Sequence, residues 1–507
     1  MDVVTYALAQ KYVKNAIGSL DTVTDVTVDG NSVVNADGVA EIVTPQILDK
    51  VADVKVNGQS VVDSEGVAQI TLHDTTLANN FADEYDASTS YEVGNLCIKD
   101  LVLYRCTTAT TGTWDDTKWE EITVAEILDA IKTVINSLMV DIDIEVISRL
   151  IQNDDLLDIM NYGDQLNINW ANGTTNYDMP LNFCHLETAK DENDNDVKVA
   201  DFESEYVLPF DCIFDAPEAI FASASDLEAG DYYFKIVNDA WGGNNGKYVS
   251  FTLDATLETG KQIRKKSGNY DAAIENCTLG IFTDGTDTTG TTLSFTVSTT
   301  QPSTGTNLGQ TDGTGDLNHW HCIVLGYNRW KFSAVRQFLN SDATKGNWWV
   351  QQHKWDVRPS YATTADGFLY GLSASIKNHL KTTKIQTARN TVFNSGDTPL
   401  GDLDTTYDKV FLASLEQMYI EPQVTGEGDV WEYYKLLNGT STKYQRSSTY
   451  ADLIKYDISA KTTARYRWLR SCYRSSAHTE WVVSSSGSVY NGRAYFGYRL
   501  APAMRIG

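Results

Sequence analysis

The chain has 507 residues and a net charge of −28. Hydrophobic residues make up 42% of it, and it contains 27 Tyr but only 9 Pro. This composition is typical of folded, β-rich modules and excludes a disordered chain. The charge is uneven, because residues 1–160 carry −19, residues 161–317 carry −17 and residues 318–507 carry +8. The acidic body excludes wrapping of nucleic acid, which needs a cationic surface, and no stretch approaches the roughly 20 apolar residues that membrane insertion needs.

Residues 1–22 predict a short helix, since Ala, Tyr, Val and Ile recur there at helical spacing. This start lacks the apolar core of a signal peptide. The sequence therefore predicts a protein that is made and assembled inside a cell.

A repeat predicts two β units within residues 23–75. Residues 23–42 and 51–70 are identical at twelve of twenty positions, and each copy alternates apolar and polar residues around a turn dipeptide that ends in Gly30 or Gly58. This pattern is typical of β-hairpins. A unit this small cannot bury its own apolar face, so either the copies stack or three chains close around an axis, and we favour the trimer.

Aromatic residues dominate residues 76–122 and predict a small β module. The pattern consists of Tyr91, Gly94, the stretch from Leu101 to Tyr104, Trp114 and Trp119. It resembles the small chitin-binding-like modules of carbohydrate-binding proteins, which also recur in phage tail proteins. The resemblance implies exposed rings that stack on sugars, and the alternative is that these rings form the core of the module.

Residues 123–160 predict a helical neck. An apolar stripe with gaps of four, three and four residues is typical of an amphipathic helix or a short coiled coil, and it consists of Ile127, Ile131, Val134 and Leu138. Either a three-helix neck or a single packed helix fits this stripe. Apolar alternation then predicts a strand at Val140, Ile142, Ile144 and Val146.

Residues 161–317 predict a β-rich domain. Residues 226–237 and 247–253 are aromatic and apolar runs that indicate strands, and the Thr/Gly/Ser-rich run 283–318 predicts loops with one strand. The acidic stretch 191–197 has the spacing of a calcium loop but lacks its turn Gly and its final Glu, so we expect a solvated loop.

Along the whole chain, seven scattered Cys without a CxxC pair predict buried thiols rather than a disulfide or zinc framework.

Residues 318–507 contain blocks of Trp, Tyr and Arg whose order resembles that of one family. The blocks are residues 329–342, 347–359, 367–372, 408–414, 431–434 and 467–506. The family is a domain of unassigned biochemical function, common in phages and Gram-positive genomes and related to the formylglycine-generating-enzyme version of the C-type lectin fold. The resemblance implies a C-type-lectin-like recognition domain. The predicted fold class is a mainly β, elongated multidomain fibre with an α+β C-terminal domain.

The last block also resembles the variable region of phage proteins that retroelements diversify. The resemblance implies a rigid frame, which here consists of Trp468, Leu469, Arg470, Ser471, Gly487, Val489, Tyr498, Arg499, Leu500 and Pro502. Residues interspersed with this frame are rich in Tyr, Arg, Asn and Trp, the types that binding surfaces favour. The predicted ligand-binding residues are Tyr473, Arg474, Ser476, His478, Glu480, Trp481, Tyr490, Asn491, Arg493 and Tyr495. The alternative for some of them, first of all Trp481, is burial.

No motif in the sequence indicates catalysis. The chain lacks GxSxG, P-loop and HExxH motifs, and Cys472 stands alone where oxygenase relatives depend on a cysteine pair or a copper site. His319 and His321 would share one face of a strand, but the sequence identifies no third zinc ligand. We therefore predict no enzyme activity, no metal and no cofactor.

Together these features predict a bacteriophage virion fibre protein, on the head or on the tail, that assembles as a homotrimer in the host cytoplasm. Its N-terminal part would attach to capsid or tail proteins, and its C-terminal domain would bind a bacterial surface glycan or protein. Two alternatives stay open. One is a tail-borne polysaccharide depolymerase, which would need a carboxylate pair in a cleft, and the other is a bacterial cell-wall adhesin.

Overall fold

The computed structural model divides the chain into two compact units, 1–142 and 143–507. It is mainly β, as predicted, with short helices. The predicted helix at 1–22 and the predicted apolar stripe at 127–138 lie outside the described residues. The structure describes residues 26–28, 31–32, 54–56, 59–60, 82–100, 102–122, 144–237, 239, 243–270, 272–309, 319–392 and 401–507.

In the first unit, the two copies of the repeat form one four-stranded sheet in the order β2-β1-β3-β4. Its strands are β1 Val26–Val28, β2 Asn31–Ser32, β3 Val54–Val56 and β4 Gln59–Ser60. Each copy forms a hairpin, and the first strands of the two copies pair antiparallel. The hairpin predicted in each copy is confirmed.

The aromatic module of the first unit has two small sheets, β5-β8 and β6-β7-β9, and one 3-10 helix at Asp116–Lys118. Its strands are β5 Ser90–Tyr91, β6 Leu96–Lys99, β7 Val102–Cys106, β8 Thr110–Thr111 and β9 Trp119–Glu121. The rings of Trp114 and Trp119 stack at 5.0 Å, and those of Tyr91 and Trp119 meet at 5.1 Å. Tyr91 and Trp119 are buried, so these rings form the core of the module.

The second unit begins with helix α1 and ends with strand β31. Its helices are α1 Ile144–Gln152, α2 His319–Leu325, α3 Ala334–Leu339, α4 Ala374–His379 and α5 Glu432–Asn438. Short 3-10 helices lie at Leu156–Asp158, Ile274–Asn276, Trp330–Phe332, Ser360–Thr363, Phe368–Gly371 and Ala451–Leu453. The strands are β10 Gln165–Asn172, β11 Thr175–Lys190, β12 Asp196–Ser204, β13 Cys212–Ile213, β14 Phe221–Ala222, β15 Gly230–Lys235, β16 Tyr248–Leu253, β17 Gln262–Ser267, β18 Thr278–Phe282, β19 Thr291–Leu293, β20 Phe295–Ser298, β21 Thr306–Asn307, β22 Thr383–Ala388, β23 Leu403–Asp408, β24 Val410–Phe411, β25 Lys455–Tyr456, β26 Ala464–Arg465, β27 Arg467–Cys472, β28 Thr479–Val483, β29 Val489–Arg493, β30 Gly497–Tyr498 and β31 Ala503–Ile506. No helix among the described residues is long and apolar enough to cross a bilayer.

A five-stranded sheet, in the order β10-β11-β12-β31-β24, joins the start of the second unit to its end. Phe202 of β12 lies opposite Met504 of β31, and Met504 also lies opposite Val410 of β24. All three side chains are buried in the same hydrophobic core. The predicted division into domains 161–317 and 318–507 is therefore corrected, because strands from both sides of residue 317 share one sheet and one core.

Two four-stranded sheets between β13 and α2 enclose a core of their own. Their orders are β14-β17-β18-β19 and β20-β16-β15-β21. The strands predicted within 226–237 and 247–253 are confirmed as β15 and β16. Within the run 283–318, the described residues 283–309 hold three strands rather than the predicted one. The chain leaves the first sheet after β19 and enters the second as β20, and β21 pairs with β15.

Helix α1 replaces the strand predicted around Ile144 and Val146. Ile144, Ile147 and Ile151 are buried, and their spacing of three and four residues places them on one helical face. That face packs into the large core of the second unit. The helical spacing of the three isoleucines therefore predicts the local structure better than the alternation of two apolar residues at the start of the helix does.

The acidic stretch 191–197 forms the turn between β11 and β12. Asp191 Oδ1 accepts hydrogen bonds from the backbone N–H groups of Asn193 and Asn195, both at 2.8 Å. This is the ordinary way in which Asp stabilises a turn.

The prediction of buried thiols is confirmed, since all seven cysteines are free and buried.

A network of buried charges fixes the C-terminal core. Glu203 of β12 accepts a hydrogen bond from Arg467 Nη1 at 2.8 Å and from the Tyr434 hydroxyl at 2.6 Å, and Lys455 Nζ lies 3.1 Å away. Burial alone would raise the pKa of the Glu203 carboxyl, but Lys455 and Arg467 lower it on balance. Glu203 thus links β12 to α5, β25 and β27.

Candidate functional site

Four residues of the predicted frame, 468–471, lie in β27, an edge strand of the three-stranded sheet β27-β28-β29. Every residue of β27 and β28 is buried. The Trp468 indole donates a hydrogen bond to the Cys212 carbonyl at 2.8 Å and packs against Phe214, with ring centroids 5.6 Å apart. Leu469, Arg470, Ser471, Val489 and Leu500 are likewise buried. The burial is consistent with the rigid role that the sequence predicts for these residues.

The turn between β28 and β29 depends on Gly487. Its φ of 84° is in the left-handed region, and a Cβ at this position would lie 2.0 Å from the Tyr450 carbonyl oxygen. The Gly487 N–H donates to the Ser484 carbonyl at 3.0 Å. Glycine is therefore needed here for both conformation and space.

The ten predicted ligand-binding residues do not form one exposed face. Glu480 is 0% and Trp481 is 3% exposed, so neither belongs to a surface, and both are removed from the predicted site. The Trp481 indole instead donates to Gln423 Oε1 at 2.9 Å. Asn491 is exposed, and the others are half-buried: Tyr473, Arg474, Ser476, His478, Tyr490, Arg493 and Tyr495.

Near the start of β28, the predicted residues mostly contact the protein itself. Tyr473 packs edge-to-face on Trp481 at 5.5 Å, and Arg474 forms an ion pair with Asp402 at 2.5 Å. His478 lies 3.1 Å from the Ser476 hydroxyl, and its ring is 4.9 Å from that of His321. Burial, followed by the nearby His321, lowers the pKa of His478 to about 3. His478 is therefore neutral at physiological pH.

Four rings, from β29 and from the segments just before β27 and just after β29, form what we call the aromatic patch: Tyr466, Tyr490, Phe496 and Tyr498. The rings of Tyr466 and Tyr498 are nearly parallel, 5.2 Å apart and inclined by 15°. Tyr490 meets Tyr466 edge-to-face at 6.1 Å, and its hydroxyl lies 3.1 Å from that of Tyr498. Tyr466 is 38% exposed, and the other three are half-buried. The patch thus combines partly exposed aromatic rings with three phenolic hydroxyl groups.

The frame supports the aromatic patch from the interior of the protein. The Tyr498 ring packs on Trp468 at 4.7 Å. A Cβ at Gly492 would come within 2.7 Å of the Tyr498 ring, so the absence of a side chain there makes room for it. Arg493, at the end of β29, places its guanidinium 5.5 Å from the centre of Phe496. A cation therefore lies at the edge of the patch.

The sequence prediction missed Tyr466 and Phe496 and assigned Tyr498 to the frame. Tyr466 lies just before β27, and its contacts with Tyr490 and Tyr498 arise only in the folded chain. The place of Phe496 beside Tyr498 and Arg493 likewise depends on the turn between β29 and β30.

The aromatic module of the first unit offers less exposed ring surface. Trp114 and Tyr104 are half-buried at its rim, with ring centroids 4.9 Å apart. Lys99 Nζ lies 5.5 Å from the Trp114 ring. Tyr85 is half-buried as well, whereas Tyr91 and Trp119 are buried. The two buried rings agree with the alternative that the rings form the core of the module.

Residues 311–507 match the model of a family described as a domain of unknown function (DUF6273). The matched segment contains the frame, the aromatic patch, β24 and β31, but not the strands β10–β12 that complete their sheet. No curated protein and no solved structure is similar to the chain.

Proposed function

We propose that the chain is a bacteriophage virion fibre protein whose C-terminal part binds a glycan of the bacterial surface through the aromatic patch. The observation that carries this proposal is the pair of parallel, partly exposed rings of Tyr466 and Tyr498 on a buried frame. Tyr combines a large apolar face with a polar hydroxyl and loses little conformational entropy on binding. These properties suit a pyranose ring, which has one apolar face and hydroxyl groups at its edge.

The rigidity of the patch supports the same function. Tyr498 is enclosed by Trp468, Tyr466 and Phe496, with centroids between 4.7 and 5.8 Å from its own. Rings that are ordered before binding do not lose rotamer entropy when the ligand arrives, so a preorganised patch binds more tightly than a mobile one.

The rest of the proposal concerns assembly. The chain would be a homotrimer that attaches through its N-terminal part to capsid or tail proteins, and the C-terminal domain predicted at residues 318–507 would provide a C-type-lectin-like fold. Support comes from the short repeats, whose hairpins pair in a sheet that ends in the two-residue strands β2 and β4. Such small sheets rarely fold alone.

The function is tested by measuring the binding of the full chain to bacterial capsule, teichoic acid and peptidoglycan preparations. We expect Tyr466→Ala to weaken binding at least about thirtyfold, because anchors at the centre of an interface typically account for 2 kcal/mol or more. The matched control is Tyr370→Ala, which removes a 50% exposed Tyr from the 3-10 helix Phe368–Gly371. The control should bind as the wild type does.

Thermal melts of both variants separate binding from folding. If Tyr466→Ala binds normally, or loses binding only together with its folded structure, the aromatic patch is not the site. Failure of the wild-type chain to bind any of the preparations refutes glycan recognition itself. If the chain releases new reducing ends from a preparation, it is a polysaccharide depolymerase instead.

A further inference from the structure

Five ionisable side chains meet in the interior of the second unit, remote in sequence from β27–β29. We call them the buried cluster: Asp215, Glu218, His319, His353 and Asp356. They come from three segments, namely the chain after β13, the first residue of α2 and the loop around 353–356. One ligand atom from each of Asp215, His353 and Asp356 lies within 4.8 Å of the other two.

Backbone hydrogen bonds hold these three segments together. The Glu218 N–H donates to the Cys322 carbonyl of α2 at 3.1 Å, and the Ala219 N–H donates to the Trp355 carbonyl at 2.8 Å. Within the loop, the Asp356 N–H donates to the His353 carbonyl at 3.1 Å. The positions of the side chains therefore do not depend on a flexible segment.

Several ligand atoms of the cluster have no hydrogen-bond partner. Asp215 is 1% exposed, and neither of its carboxylate oxygens has a hydrogen bond of standard geometry, although the backbone N–H groups of Ala216 and Ala334 face this carboxylate and lower its pKa. Asp356 is also 1% exposed; its Oδ2 accepts from the Gln352 N–H at 2.9 Å, whereas its Oδ1 has no hydrogen bond of standard geometry. Buried carboxylate oxygens without a partner are costly, so each one needs an explanation.

Two imidazoles face the third carboxylate, that of Glu218. Glu218 Oε2 lies 3.2 Å from His319 Nε2, and Glu218 Oε1 lies 3.4 Å from His353 Nε2. His353 Nδ1 is buried and has no hydrogen-bond partner. A carboxylate beside one nitrogen of an imidazole, with the other nitrogen available, is the arrangement that orients metal-bound histidines.

The cluster brings the carboxylates of Asp215, Glu218 and Asp356 together in the interior of the second unit. Burial, followed by repulsion from Asp356 and Glu218, raises the pKa of Asp215 well above its usual range. Burial likewise raises the pKa of Asp356. Three carboxylates in one buried place therefore either hold protons or share a divalent cation.

We propose that the buried cluster binds one divalent transition-metal ion, with Zn²⁺ as the best fit, through Asp215, Asp356 Oδ1 and His353 Nδ1. Glu218 then accepts from His353 Nε2–H and orients this ring, and His319 supports Glu218 from the other side. Mixed imidazole and carboxylate ligands suit Zn²⁺, whereas Ca²⁺ and Mg²⁺ prefer oxygen ligands alone. The ion would have a structural role, because it would tie the chain after β13 to the loop around 353–356.

The proposal is tested on the full chain by elemental analysis and by thermal melts after treatment with a chelator. We expect about one Zn²⁺ per chain and, at a hundredfold excess over the dissociation constant, a rise in Tm of about 3 °C on adding Zn²⁺ to the stripped protein. Mg²⁺ and Ca²⁺ should not produce this rise. A stripped protein whose Tm does not respond to Zn²⁺, or responds equally to Ca²⁺, overturns the proposal.

Two variants distinguish a metal site from an ordinary buried carboxylate. Asp215→Asn keeps the shape of the side chain and should lose both the bound metal and the rise in Tm. Glu480→Gln is the matched control, since Glu480 is also fully buried with both oxygens lacking a hydrogen-bond partner; it should keep the metal. If Asp215→Asn fails to fold, His353→Gln gives the same comparison, and retention of stoichiometric Zn²⁺ by the variant that folds refutes the site.

Discussion

Replacing Glu203 by Gln tests whether buried charges hold the frame in place. In the wild type, the Glu203 carboxylate is the counter-ion of two cations, Arg467 and Lys455. All three side chains are at most 6% exposed. The Glu203→Gln amide has nearly the same shape but no charge, so Arg467 and Lys455 would remain buried without their counter-ion. Removing one partner of a buried ion pair typically costs about 3–5 kcal/mol.

The expected shift in melting temperature follows from the size of the cooperative unit. Residues 143–507 form one compact unit, and an unfolding entropy of about 2.1 cal/mol/K per residue gives roughly 0.8 kcal/mol/K for a unit of this length. The loss in stability should therefore lower Tm by about 4–6 °C in differential scanning calorimetry. Binding below this temperature should be unchanged, because Glu203 does not contact the aromatic patch.

The control for this substitution is Asp154→Asn. Asp154 forms an ion pair with Lys198 at 2.6 Å, but its side chain is 70% exposed. Surface pairs contribute about 0–1 kcal/mol, and Asn tolerates the positive φ of 63° at this position. We expect a shift of about 1 °C or less. If Glu203→Gln melts as close to the wild type as this control does, the buried network does not hold the frame.

The same network sets a dependence on pH. The pKa of Glu203 is lowered from 4.5 in the folded chain, so the unfolded chain binds its proton first as the pH falls. The stabilisation by Glu203 is then complete above about pH 4.5 and is lost as the pH falls through the folded pKa. Glu203→Gln should therefore lose less stability than the wild type between about pH 5 and pH 3. Equal losses would contradict a lowered pKa of Glu203 in the folded chain.

Two further predictions concern His478 and the assembly. The pKa of His478 is lowered from 6.5 to about 3, so the unfolded chain takes up this proton first, and stability should fall as the pH decreases from about 6.5 towards 3. His478→Asn should show a smaller drop in Tm between pH 7 and pH 5, and a drop equal to that of the wild type would contradict the burial of this ring. Light scattering of the purified chain should give three times the 56.2 kDa of one chain, and a folded monomer at micromolar concentration would exclude the trimer.

Patterns confined to a few residues predicted local structure well. The alternation around each Gly of the repeat, and the aromatic run before Lys235, indicated hairpins and strands that the structure contains. These elements are specified by neighbouring residues, since turn type and alternation are local properties.

Features that depend on distant contacts were not predictable from these patterns. Strand β28 contains Glu480 beside Trp481, which suggested a surface, but the strand lies between β27 and β29 and is buried along its whole length. The buried cluster likewise joins Asp215 to Asp356, more than a hundred residues later in the chain. Spacing along the sequence carries no information on which distant segments meet.

The position of β31 in the five-stranded sheet has a consequence for synthesis of the chain. Residues 503–506 pair with residues 200–203, about 300 residues earlier. At roughly 5–20 residues per second, a ribosome needs about 15–60 s to deliver the partner strand after β12 has emerged. During this time the edge of β12 is open to pairing with other chains. The yield of native protein therefore depends on what covers this edge until β31 arrives, and not only on the stability of the finished fold.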